Sequence, residues 1–273
     1  MSFKRLRRQT LIYMAAVVIA LWVIVPIVLI ALASFTPQQE IYSWPKSIIP
    51  SHFSIETMKF FLNSYGVIPS LLNSVWVALM TLGITLAVAA PAGYAVARFV
   101  FRGQNAYQMG ILMTRMFPTA LLAIPLAVTF IKWGLYDTLI GVAFLHVAMA
   151  MPFAVLIITG IFVSVPKDLE EAAMTLGCSR VGAFVRVALP LALPGLAAAA
   201  MFTFVISWNE VFAATILTVQ HRTLPAQILS TLRASPLYFR FAGGFFMVLP
   251  TLVFMFLIRR YLFQMWGGAT AER

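Results

Sequence analysis

The chain has 273 residues, 62% of them hydrophobic and 10% charged, and a formal charge of +11. Soluble globular proteins carry roughly 25% charged residues, so these proportions exclude a soluble domain and leave an integral membrane protein with room for about six spans. The positive charge does not call for nucleic acid, because most cations fall where membrane topology places them, and a lone cysteine, Cys178, excludes a disulfide framework or a cysteine metal site within the chain.

Lys4, Arg5, Arg7 and Arg8 open the chain and precede an uncharged run from 9 to 39. Ala31-Leu32-Ala33 resembles a signal-peptide cleavage site, but the apolar stretch 11–33 exceeds the roughly 7–15 residues of a signal core and is long enough to cross a bilayer. It is expected to remain as the first span, after an N-terminal segment over 1–10. Further spans are predicted at 70–97, 106–131, 138–163, 191–219 and 241–262, with a C-terminal tail over 264–273. Pro26, Pro91, Pro118, Pro125 and Pro152 fall inside them. Neighbouring helices can satisfy the carbonyls that proline frees, and so many prolines predict bent helices around a pathway. With the N-terminus inside, cytoplasmic segments hold twelve of the nineteen lysines and arginines and outer segments six. That bias predicts both termini in the cytoplasm, and the proline-rich loop over 34–69 outside.

The same orientation places residues 164–190 in the cytoplasm, and this segment is the most informative in the chain. Pro166 suits a first helical turn, where its missing N–H costs nothing. Asp168, Glu170 and Glu171 lie near the positive end of the helix dipole. Leu169, Ala172, Ala173 and Leu176 recur at i, i+3, i+4 and i+7, which gives one small apolar face. Gly177 supplies a stop and Ser179 a cap for a second helix, in which Val181, Phe184, Val185 and Ala188 repeat the spacing. Pro190 and Pro194 mark the return to the membrane. Such a hairpin can lie on the headgroups. Against that, membrane-surface helices carry lysine and arginine on their polar face, whereas a narrow alanine-rich face with an acidic end fits a groove on a protein.

Glu171-Ala172-Ala173, then Gly177, then Leu189-Pro190 resembles the EAA signature of permease subunits in binding-protein-dependent ABC importers. The likeness extends to Asn73-Ser74, 92–98, Phe101-Arg102-Gly103, Met116-Phe117-Pro118, Asp137-Thr138, Trp208-Asn209-Glu210, Thr223-Leu224-Pro225 and Gly267-Gly268-Ala269. Their order and spacing are similar to the second, six-span permease of maltose-type carbohydrate importers. Leu176 and Cys178 depart from it, standing where many sugar permeases have aspartate and alanine. The resemblance implies an all-α integral membrane protein of six transmembrane helices, in the type I ABC importer architecture with a cytoplasmic coupling-helix loop. It implies a multi-pass chain of the bacterial inner membrane. The implied partners are a second permease subunit, making a heterodimer, two ATP-binding subunits and an extracytoplasmic solute-binding protein. The implied substrate is a mono- or oligosaccharide or a derivative of one. It makes Glu170, Glu171, Ala172, Ala173, Gly177 and Arg180 the candidate residues that couple to the ATPase, with Glu171 the charged contact and Gly177 the setter of the hairpin angle.

No G-x-x-x-x-G-K-S/T phosphate loop occurs, so ATP and Mg are expected in the partner ATPase and no cofactor in this chain. His52, His146 and His221 are scattered without short-spaced ligand or nucleophile–base motifs, so neither a metal site nor a catalytic residue is expected.

Polar groups at depth are costly and often functional. Arg115 is expected about 13 Å from the inner end of the third span and Glu210 about 28 Å from the same side, too far apart to pair directly. His146 falls about 12 Å from the outer end of the fourth. Arg115 either pairs with carbonyls or a partner permease, or serves as a cavity cation for an anionic or hydroxyl-rich solute. His146 is either a packing residue or part of that pathway. Trp208, Asn209 and Glu210 read either as a sugar-facing patch or as packing at the outer interface. Arg222, Arg233 and Arg240 form either a solvated basic loop or a dock for an acidic surface of the binding protein. An ion-coupled secondary transporter is the rival function, although proton or sodium coupling usually needs more buried carboxylate than Glu210 alone.

Overall fold

The computed structural model describes residues 3–45, 47–116 and 119–267. Among the described residues every regular element is helical. They are α1 (Phe3–Ser34), α2 (Gln38–Ile41), α3 (Glu56–Asn63), α4 (Val67–Arg98), α5 (Gln104–Met113), α6 (Thr119–Lys132), α7 (Leu139–Ser164), α8 (Lys167–Thr175), α9 (Arg180–Ala183), α10 (Leu189–Leu191), α11 (Leu193–Asn209), α12 (Phe212–Leu217), α13 (Leu224–Thr231) and α14 (Leu237–Gly267). Helices hold every backbone bond inside the segment, which is what hydrocarbon demands. Four described stretches are long and apolar enough to cross a membrane: Arg7–Ser34, Val67–Arg98, Leu139–Ser164 and Leu237–Tyr261. These make the chain a multi-pass membrane protein.

The third and fifth expected spans are not single helices. Over 106–131 the chain forms α5, a 3-10 turn at Thr114–Met116 and α6; Pro118 lies outside the described residues. Over 191–219 it forms α11 and α12, separated at Glu210. The stretch Arg180–Leu191 meets Leu193–Asn209 at a 74° bend, after a π-helical turn at Phe184–Ala188. Pro26, Pro91, Pro125 and Pro152 all sit inside helices, as does Pro250 in α14. The last helix runs to Gly267, beyond the predicted 262, and the remainder of the expected tail lies outside the described residues.

The chain divides into two units. The first comprises Met1–Ile68 with Thr231–Leu249. In it Ser34 Oγ donates to Phe241 O at 2.8 Å, and buried Phe61 stacks on Phe246 with centroids 5.3 Å apart. The second comprises Pro69–Ser230 with Pro250–Arg273. Its core includes Ile158 and Phe162 of α7, Ala89 of α4 and Ala199 of α11. Gly195 permits the close approach of α11 to α7, since a Cβ there would lie 2.2 Å from Ile161.

At the α7 N-terminal end of this unit, Asp137 takes a left-handed conformation (φ 56°) and Thr138 caps α7, its Oγ1 accepting from Gly141 N at 3.1 Å. The Asp137 carboxylate accepts the backbone N–H of Val219, Gln220 and His221 at 2.8–3.0 Å and so pins the segment that follows α12. Beside it, Asn73 donates to Arg222 O (3.0 Å) and Ser74 accepts Leu224 N–H (2.7 Å). Burial by itself raises the Asp137 pKa, but the three N–H donors outweigh it and hold the carboxyl below its ordinary value. A depressed folded-state pKa adds stability above the unfolded value, lost as pH falls through the folded one. Asp137→Ala is therefore expected to cost about 2 kcal/mol at neutral pH, and the deficit should shrink as pH drops below about 4. Thermal unfolding of wild type and variant across that range checks it; a deficit independent of pH contradicts the staple.

Candidate functional site

α8 and α9 make a two-helix knob between α7 and the bent stretch that leads into α11. Pro166 precedes α8, and Asp168 and Glu170 occupy its first turn. Gly177, at φ +89°, ends it: Gly177 N–H bonds Met174 O and Cys178 N–H bonds Ala173 O, both at 3.0 Å. This two-bond closure needs a left-handed residue, which favours glycine. Ser179 then caps α9, its Oγ accepting from Gly182 N at 3.1 Å.

α8 buries one of its three acids and exposes its leucine. Its carboxylate Glu170 is 4% exposed, while Leu169 is 47% and Leu176, just beyond it, 89% exposed. Glu171 and Ala172 also face outward, with Ala173 half-buried. The knob turns Glu170 inward and leaves Leu169, Ala172 and Glu171 exposed beside Lys167 and Asp168.

Glu170 can be buried because it is fully engaged. Arg98, the last residue of α4, lies 2.6 Å from Oε1 through Nη2, and its Nε donates to the same oxygen at 2.8 Å. Tyr94, one turn earlier on α4, donates its hydroxyl to Oε2 at 2.6 Å. The guanidinium also donates to Phe162 O (2.7 Å) and Val165 O (2.9 Å), the free carbonyls at the end of α7. A cation there also meets the negative end of the α7 dipole. The Tyr94 ring packs on Phe184 (4.6 Å) and edge-on to Phe162 (5.3 Å). One arginine thus joins α4, α7 and α8. Beside it a cavity of about 290 Å³ is lined by Arg98, Lys167, Glu171 and Arg180 among others.

The expected coupling residues accordingly separate. Glu171, Ala172, Gly177 and Arg180 are on the surface of the knob. Glu170 is not available as an external contact, because its carboxylate is spent on Arg98 and Tyr94. Arg98 and Tyr94 were not among the candidates. Their i, i+4 spacing at the end of a helix was the available signal.

The expected pathway residues fall differently. Trp208 is buried against the Phe204 ring at 5.7 Å, and Phe204 stacks on Phe254 at 4.2 Å. Asn209 is exposed and donates to Val205 O at 3.0 Å. Glu210 is buried, and its two oxygens accept Ala213 N–H (2.9 Å) and Ala214 N–H (2.8 Å), capping α12. Of the triplet, Trp208 and Glu210 are buried and Asn209, the last residue of α11, is exposed. His146 is fully buried, with Nδ1 2.9 Å from Ser207 Oγ and Nε2 3.5 Å from Glu210 Oε2. Ser207 in turn donates to Thr81 of α4 at 3.4 Å. The sequence offered no sign of the His146–Glu210 pair. Arg115 belongs to the turn Thr114–Met116, and its side chain lies outside the described residues. Arg222 is partly buried, Arg233 and Arg240 are exposed, and Arg240 Nε donates to Ser235 O at 3.3 Å.

Residues 89–265 match the family described as the binding-protein-dependent transport system inner membrane component, and the chain belongs to that family. The match contains α8, α9 and the Arg98–Glu170 pair. The trehalose transport system permease protein SugB of Mycobacterium tuberculosis is 31% identical over 219 residues, 78% of this chain and 80% of that one. The diacetylchitobiose uptake system permease protein NgcG of Streptomyces coelicolor is 32% identical over 243 residues, 89% and 80% of the two chains. Among solved structures, a bacterial ABC transporter that imports the acidic polysaccharide alginate has the same fold. Its TM-score is 0.73 at 19% identity, covering 96% of this chain and 99% of that one. The permease fold expected from the sequence is the one observed.

Removing either partner of a buried ion pair leaves the other charge uncompensated, at about 3–5 kcal/mol. Arg98→Ala and Glu170→Ala are each expected to destabilise by about that much, and Tyr94→Phe by about 1 kcal/mol. The double variant should cost well below the sum. Thermal unfolding of the purified protein reads all four; losses under about 1 kcal/mol in both single variants would mean that packing alone holds the knob.

Proposed function

We propose that this chain is a permease subunit of an ATP-driven importer, passing a carbohydrate or sugar derivative that an extracytoplasmic binding protein delivers. The observation that carries the reading is the braced knob: a two-helix projection, fastened by Arg98 and Glu170 to α4 and α7, with Leu169, Ala172 and Glu171 exposed. A projection built that way transmits displacement to the spans. Named functions of the relatives, trehalose transport and diacetylchitobiose uptake, support a carbohydrate as the solute.

In this reading both termini are cytoplasmic, as is the knob. It docks in a cleft of an ATP-binding subunit, two of which, with ATP and Mg, serve a pair of permeases. Nucleotide-driven closure of the ATPases carries the knob with it, and rigid-body rotation opens the pathway outward. Glu171 makes the charged contact, and Arg180 and Lys167 rim the adjacent cavity. Arg222, Arg233 and Arg240 face the binding protein. An ion-coupled mechanism needs a carboxylate free to exchange its ion. Both Glu210 oxygens instead accept backbone N–H groups, which favours the ATP-driven reading.

In proteoliposomes holding the whole transporter, Glu171→Lys is expected to cut ATP-dependent sugar uptake at least tenfold, a loss of about 1.4 kcal/mol or more of coupling. Gly177→Pro should do the same by removing the left-handed stop. Full uptake in both variants would refute the docking role, and uptake driven by an ion gradient without ATP would favour the secondary transporter.

A further inference from the structure

In the first unit, the segment after α1 is a closed loop with fixed ends. Ser54 N–H bonds Phe35 O at 2.8 Å, and Thr57 Oγ1 donates to Thr36 O at 3.2 Å. Inside it, the Glu40 carboxylate accepts Ser51 N–H (3.0 Å) and Ser51 O–H (2.9 Å), and Ser47 Oγ donates to Ile49 O. Pro50 is buried, and the Tyr42 hydroxyl accepts Leu237 N–H at 2.9 Å. A loop so cross-linked holds its side chains in place. What it holds outward is apolar: Trp44 is 89% exposed, and Ile48, Ile49 and Phe53 are 69–74% exposed. Between Tyr42 and Phe53 the sequence has a single lysine, Lys46, and no acid.

The position of the loop says what covers it. Ser47 and Ile48 line a cavity of about 270 Å³ together with Leu29, Ile30 and Ala33 of α1. Leu29 lies five residues before the end of α1 at Ser34, about 7.5 Å back along the helix. The loop therefore doubles back beside the last turns of a membrane-crossing helix whose earlier turns, residues 7–26, are exposed. Exposed tryptophan, isoleucine and phenylalanine, on a loop whose Ile48 lies beside the end of a span, have the composition of the headgroup–acyl boundary.

We propose that Trp44, Ile48, Ile49 and Phe53 form an interfacial anchor that seats in the phospholipid leaflet at the C-terminal end of α1. Trp44, Ile48, Ile49 and Phe53 enter the acyl boundary. The Glu40–Ser51 clasp keeps the loop folded against α1, so that insertion requires no ordering. The anchor fixes the height and tilt of α1 in the bilayer.

The test uses the complete transporter in phosphatidylethanolamine–phosphatidylglycerol nanodiscs, with Ile48→Cys or Ile49→Cys carrying a nitroxide in a Cys178→Ala chain. Oxygen, concentrated in the acyl region, should relax both labels more strongly than a water-soluble nickel chelate. Stronger relaxation by the chelate would place the loop in water, and weak relaxation by both reagents would place it under a protein. Either result overturns the proposal. Should the cysteine variants not assemble, Trp44→Phe serves: wild type is expected to lose a share of tryptophan emission to brominated lipid that the variant does not lose. Equal quenching of the two overturns the anchor.

Discussion

The second unit depends on one charge pair. Arg98 and Glu170 are 7% and 6% exposed as side chains, in a chain where each buried ion carries a desolvation penalty of several kcal/mol. The pair survives because every strong direction is occupied. The carboxylate has the guanidinium on one oxygen and the Tyr94 hydroxyl on the other. The guanidinium has two carbonyls that the end of α7 could not otherwise satisfy. A hydrophobic pair could match it in stability but not in direction. The planar fork of arginine reaches three helices at fixed angles, and lysine could not.

The consequence is felt on the outer side of α8. With Glu170 turned inward, Leu169, Ala172 and Glu171 remain exposed on the helix beside Lys167 and Asp168. The left-handed Gly177 and the Ser179 cap then set where the second helix starts. After it, the backbone slips into a π turn at Phe184–Ala188 and bends by 74° before α11. π turns mark places where the i to i−4 ladder has been traded for geometry. Here the trade brings Phe184 onto Tyr94, so the aromatic packing and the ion pair brace the same joint.

At the other end of α7 the same logic recurs with different groups. The fifth span breaks at Glu210, and the carboxylate that would be intolerable in a continuous apolar helix caps the piece that follows. His146 and Ser207 stand behind it, linked to Thr81 of α4. Asp137 repeats the device outside the spans, holding three successive backbone N–H groups. Acids in this chain are few, 8 against 19 cations, and Asp137 and Glu210, near the N-terminal end of α7, serve to hold backbone N–H groups where helices break.

Hydrophobic runs of span length, the basic bias of alternate loops, the Gly177 stop and the Ser179 cap were legible without coordinates, because each rests on local chemistry or on a periodicity of a few residues. So was the knob itself, and with it the family. Helix continuity was less so: the third and fifth spans read as single apolar runs, since Thr114–Met116 and Glu210 interrupt a hydropathy pattern without changing its average. Which way a side chain faces across helices was beyond the sequence altogether. Glu170 and Glu171 are neighbours of identical chemistry, and only the position of Arg98, 72 residues earlier, decides that the first is a brace and the second a surface. The amino-acid order determined a bundle of membrane helices carrying a polar hairpin. Tertiary packing alone chose which acids are buried, because that choice belongs to charges distant along the chain and adjacent in space.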